Sequence, residues 1–141
     1  MQANNYDTDF YGWSAEQADL LKKGQFEKLD IINLIDEVES LGGSEKNNLI
    51  SYLTIHFLHL LKKKYQPVLD CRSWDISIRN SKDSFIKKLH QNPGLKSKLD
   101  EIFEEAYKNS RVETSKETGF DESIFPKECP WTKEEVINAS E

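Results

Sequence analysis

The sequence predicts an all-α fold: a helical bundle of four to five main helices with a short C-terminal helix. Two observations carry that prediction. Apolar residues recur at helical spacing through most of the 141-residue chain. Strand-like alternation is absent, and β-branched runs are short. The glycines and prolines then suggest where individual helices stop.

Taken in order, Asn4 to Trp13 is aromatic and turn-like, without period. Ser14 with Gln17 reads as a capping box, opening a short helix over SAEQADLLKK that Gly24 closes. Residues 27–41 place Ile31, Leu34, Ile35, Val38 and Leu41 on one stripe, which predicts an amphipathic helix stopped by Gly42 and Gly43. That glycine pair is no phosphate loop, because no Gly-Lys-Ser/Thr follows and a helix precedes it. Ser44 can cap a third helix running to about Tyr65, where Pro67 breaks it. Its core face is Leu49, Ile50, Leu53, Phe57, Leu60 and Leu61, with Ile55 and Leu58 outside that face, so it reads as the central helix.

A fourth helix is expected from about Val68 to Gln91, burying Trp74, Ile78, Phe85 and Leu89 and ended by Asn92-Pro93-Gly94. A fifth begins near Leu95, uses Leu99, Ile102, Phe103, Ala106 and Tyr107, and frays toward Gly119. FDESIFPKECPWT is a proline-punctuated strap, and Thr132 with Glu135 repeats the capping box before a last short helix. The expected organisation is one domain over residues 1–141.

Composition narrows the class. Hydrophobic residues at 37% and charged residues at 31% describe a globular chain with a real core, neither disordered nor membrane-embedded. No apolar run reaches the roughly 18–20 residues of a bilayer span. MQANNYDTDFYGW has neither a basic region nor a hydrophobic stretch and is not a secretory signal. Two distant cysteines, Cys71 and Cys129, suggest reduced thiols and a cytoplasmic location. A net charge of −6 argues against broad nucleic-acid or membrane affinity. Its distribution is uneven: Lys62 to Lys98 holds ten Lys/Arg against three Asp, a balance of +7, and the remainder carries −13. Mutual neutralisation of the two parts is the expectation.

The motifs DFYGW, SAEQADLLKKGQF, NLIDEVESLG, LHLLK, YQP, RSW followed by SIR, NPGL, EAY, ETGF and FPKECPWT stand in an order and spacing that resembles domain-of-unknown-function family 29, from about Tyr6 to Val136. The resemblance implies a compact all-helical domain of a prokaryotic cytoplasmic protein with no established activity. Members commonly carry an acidic residue just before the Asn of the second helix. Here that position is Ile32, so no role of that carboxylate transfers.

Five constellations bear on function. His56 and His59 differ by about 60° in azimuth on one helix and could share a ligand. With Glu37, or Asp36, they form the candidate metal set. Catalytic zinc asks for three protein ligands, di-iron bundles use Glu-x-x-His, and neither that motif nor HExxH occurs. The expectation is therefore no metal and no cofactor, with neutral imidazoles in or near the core. Asp30, Asn33 and Glu37 form a polar edge beside the stripe of the second helix. Arg72 and Arg79 lie seven apart on one face of the fourth, with Trp74 between them turned to the core. Pairing of Glu37 or Glu39 with Arg72 or Arg79 is expected, and Glu37, His59, Arg72, Trp74 and Arg79 make the candidate polar cluster.

KKKYQP and its aromatic neighbours Tyr65, Trp74 and Phe85 have a composition that suits nucleic acid, but two of these rings sit at core spacing and no docking motif follows. The two cysteines lack a local histidine, and Cys129 reads as an apolar plug under the strap. The terminal rings Tyr6, Phe10, Tyr11, Trp13, Phe120, Phe125 and Trp131 should close the bundle's grooves, or meet a partner if the terminus swaps between protomers. Together these point to a non-enzymatic protein acting by contact with a protein partner or a second copy. The alternatives are a metal-dependent or acid–base enzyme with a site between helices two, three and four, and a nucleic-acid accessory protein.

Overall fold

The computed structural model describes residues 5–138. Five α-helices are found among them: α1 (Phe10–Lys22), α2 (Ile31–Tyr65), α3 (Arg72–Gln91), α4 (Leu99–Thr118) and α5 (Lys133–Asn138), joined by short 3-10 turns, and no strand occurs among the described residues. The chain packs as two compact units, one ending at Gly43 and the other beginning at Ser44.

In the first unit, α1 starts five residues earlier than a cap at Ser14 suggests. Asp9 is the N-cap, its carboxylate accepting the Gly12 N–H at 2.9 Å. A β-carbon at Gly12 would lie 2.2 Å from Asp9 Oδ2, so the tight cap requires glycine there. Ser14 instead donates to the Tyr11 carbonyl inside the helix, and Gln17 is buried. Gly24, at φ 71°, ends α1 as expected.

The largest departure from the sequence reading is α2. Gly42 and Gly43 do not stop it; the helix is continuous from Ile31 to Tyr65, and Ser44 lies inside it. The positive-φ glycines among the described residues are Gly24 and Gly119, so neither member of this pair takes a cap conformation. Two interior glycines cost about 1 kcal/mol each. Ending a helix and nucleating another leaves sets of backbone groups unpaired and pays the nucleation cost again, which is the larger penalty.

The second departure is the apolar stripe on α2. Ile31, Ile35, Val38 and Leu41 remain 51–70% exposed, and Ile32 is 76% exposed. The polar edge of the helix holds the partners instead. Trp13 and Gln17 of α1 both bond to Asp30, and the Tyr6 hydroxyl donates to Glu37. These bonds turn Asp30, Asn33 and Glu37 inward and leave the stripe uncovered by its own unit.

The second unit has the expected core. Leu49, Leu53, Phe57 and Leu61 are fully buried, and Leu58 joins them at 7% while Ile55 stays exposed. Phe85 and Leu89 of α3 and Ile102, Phe103, Ala106 and Tyr107 of α4 complete the same cluster. α3 starts at Arg72, after a 3-10 turn at Pro67–Leu69 that takes the first residues of the expected fourth helix. α4 likewise follows a 3-10 segment at Pro93–Lys98, and Gly119 caps it in the left-handed region at φ 81°. The strap is pinned by Phe125, which is buried, by the Tyr107 hydroxyl donating to the Pro126 carbonyl at 2.6 Å, and by Trp131 stacked on Phe57. Both reciprocal bonds of the Thr132–Glu135 capping box are made, at 2.8 and 3.1 Å, before α5.

Candidate functional site

The residues of the candidate polar cluster each have their own surroundings. Glu37 accepts the Tyr6 hydroxyl, which raises that phenol to about 12 through the hydrogen bond and the adjacent carboxylate charge. The His59 ring bonds the Ile55 carbonyl of its own helix at 3.0 Å and is only half-buried. Trp74 is buried, as expected, beneath the Lys62 ammonium at 5.0 Å from the ring centroid. Arg72 and Arg79 are exposed on α3, and neither takes part in an ion pair among the described residues.

His56 stands apart from the rest. It is 5% exposed, with Nδ1 3.1 Å from the Ile78 carbonyl on α3. A carbonyl can only accept, so Nδ1 carries the hydrogen and Nε2 holds the lone pair. Burial pushes the imidazole below its ordinary value, and the nearby Lys82 and His59 charges act in the same direction. The ring is accordingly neutral near pH 7. It lies on the wall of a cleft of about 720 Å³ between α2, α3 and α5, which Arg79, Lys82 and Trp131 also line. Spacing on a single helix could not reveal this, because α3 and α5 supply most of the wall. The same wall carries the carboxylates of Asp75, Asp83 and Glu135, so the cleft presents charges of both signs around the imidazole. No group of three or more His, Cys, Asp or Glu side chains able to hold a metal ion occurs among the described residues.

The thiols also differ from each other. Cys71 is exposed at the N-cap of α3, and the Ser73 hydroxyl and the helix amides hold it below the ordinary thiol value. Cys129 is half-buried, donates to the Trp131 carbonyl at 3.3 Å, and is pushed up by burial. Lys63 grips both Asp70 and Asp75, at 2.9 and 2.6 Å, across the turn that separates α2 from α3. Sequence reasoning missed that clamp, although the basic residue and both acids are visible in the sequence.

The α2 stripe is a further surface feature. The unit that carries it holds three lysines against nine Asp and Glu, a net of −6, which equals the charge of the whole chain. Residues 44–141 hold sixteen of each sign and are neutral. The stripe is thus an apolar surface in an acidic surround, with Asp36 and Glu39 one helical turn beyond Ile32 and Ile35. Phe10, Tyr11, Leu21 and Phe26 of the same unit are also half or more exposed.

No helix among the described residues is long and apolar enough to cross a membrane. Neither a curated protein nor a solved structure matches the chain. A family model does match, over residues 5–140, and its description is "Domain of unknown function DUF29". With nearly the whole sequence covered and an all-helical fold, the chain belongs to the DUF29 family, whose function is unknown.

Proposed function

We propose that this chain is a cytoplasmic protein that works by protein contact and is not a catalyst, and that its contact surface is the α2 stripe. The observation that carries this reading is the exposure of Ile31, Ile35, Val38 and Leu41, residues at core spacing that their own unit leaves in water. Apolar surface costs about 25 cal/mol per Å² to keep hydrated, so a contiguous stripe favours a partner that covers it. The acidic surround selects the chemistry of that partner: an apolar surface with basic side chains at its edge.

The experiment is a photocrosslinking residue, p-benzoylphenylalanine, placed at Val38 in cells, with Lys127 on the exposed strap as control. Discrete protein adducts at Val38 that are absent at Lys127 are expected. Equal labelling at the two positions overturns the reading. The cleft beside His56 favours a second reading, a small-molecule site, because its wall combines a buried imidazole with apolar side chains and groups of both charges.

A further inference from the structure

We infer that the surface complementary to the α2 stripe belongs to a second copy of this chain: two copies dock their stripes reciprocally onto residues 68–79 of each other. The inference rests on the reading of the stripe as a contact surface and names its partner.

Residues 68–79 have the chemistry the stripe requires. Val68 is 93% exposed, Leu69 60% and Ile76 46%. On α3, Arg72, Ile76 and Arg79 follow at i, i+4 and i+7 and so share one face, while Trp74 is buried on another. The two acids of the segment, Asp70 and Asp75, are both held by Lys63. That leaves Arg72 and Arg79 as its uncommitted charges. On the stripe, Asp36 and Glu39 are exposed and take part in no ion pair among the described residues. An apolar strip edged by carboxylates and an apolar patch edged by guanidinium groups are complementary in both respects. The −6 of the first unit and the +7 between Lys62 and Lys98 point the same way at longer range. Stripe against stripe would instead bring two such acidic units together.

A second copy carries both surfaces, so one kind of chain supplies the stripe and the patch together. Area favours reciprocity. Five half-exposed aliphatic side chains offer about 500 Å², and a comparable patch brings one contact to about 1,000 Å², below the usual range for stable interfaces. A two-fold arrangement makes the contact twice, about 2,000 Å² in all, and closes without leaving a free copy of either surface.

Sedimentation equilibrium of the full chain from about 1 to about 100 µM tests the inference, a range that reads dissociation constants in the micromolar decade. A dimer is expected. Val38→Glu and Ile76→Glu should each weaken it at least tenfold, with circular dichroism reporting unchanged helix. Glu39→Arg and Arg79→Glu should each weaken it, and the two together in one chain should recover most of the loss. In a Cys71→Ser background, a Val38→Cys chain mixed with an Ile76→Cys chain should form a disulfide between the two. A monomer throughout the range overturns the inference, as does a dimer indifferent to these changes, or a Val38→Cys/Ile76→Cys chain that closes only on itself. If the purified chain is monomeric while Val38 still gives discrete adducts in cells, the second copy is excluded and protein contact stands. If the adducts are absent too, both fall.

Discussion

The Trp13 indole N–H donates to the Asp30 carboxylate at 2.9 Å, and that one carboxylate also accepts the Asn33 side-chain amide at 2.8 Å. Trp13 is buried, and Tyr6 and Phe10 pack their rings against it. The Asp30 backbone N–H in turn bonds the buried Gln17 side chain at 2.8 Å. This polar knot, rather than apolar contact, sets which face of α2 meets α1. It therefore determines that the Ile31–Leu41 stripe is left outside.

The first prediction concerns that knot. Asp30→Ala removes the acceptor of a buried indole N–H and should destabilise the first unit by about 1–3 kcal/mol, the usual cost of orphaning a buried donor. Hydrogen exchange is the measurement: amides of α1 should exchange faster, while those of Phe57 and Phe103 should change little. Equal acceleration in both places would show that the two units unfold together and that the knot is not local.

Much of this architecture was legible in the sequence. The core of the second unit followed from helical spacing because Leu49, Leu53, Phe57 and Leu61 are buried by their own neighbours, as amphipathicity assumes. The Gly24 stop and the Thr132–Glu135 box are local signals, and both are present in the structure. What spacing could not give was which face of α2 meets α1, since a polar edge with three hydrogen-bond partners outcompeted an apolar stripe. Spacing likewise could not give the particular partners of the polar groups: Glu37 accepts the Tyr6 hydroxyl, His59 bonds the Ile55 carbonyl of its own helix, and Arg79 lines the cleft with His56.

The second prediction uses the glycines, whose substitutions should differ in sign. Gly42 and Gly43 are helical, and a β-carbon at either meets nothing within 4 Å. Gly42→Ala and Gly43→Ala should each stabilise by about 0.5–1 kcal/mol, from helix propensity alone. Gly119 also has open space, but at φ 81° a side chain is strained, so Gly119→Ala should cost about 1 kcal/mol. Urea unfolding of the three variants checks this. Loss of stability in both of the first pair would mean that α2 is broken at the glycines.

The third prediction is a pH dependence carried by His56. Its folded-state value is lowered, chiefly by burial, whereas in the unfolded chain the imidazole titrates near its ordinary 6.5. Below that pH the unfolded state takes up the proton first, so ν_U exceeds ν_N and stability falls as pH drops. Above it both states are neutral, and this histidine adds no slope. His56→Leu should remove that acid-side loss. The replacement should itself cost no more than about 2 kcal/mol, the usual scale for replacing a buried polar side chain by an apolar one of similar size. Urea midpoints from pH 7.5 to about 5 measure both effects, a window that spans the ordinary histidine range. The wild-type curve should drop more steeply than that of the variant as the solution is acidified. Parallel curves would mean that His56 is protonated in the folded protein, with its ring open to water at the cleft.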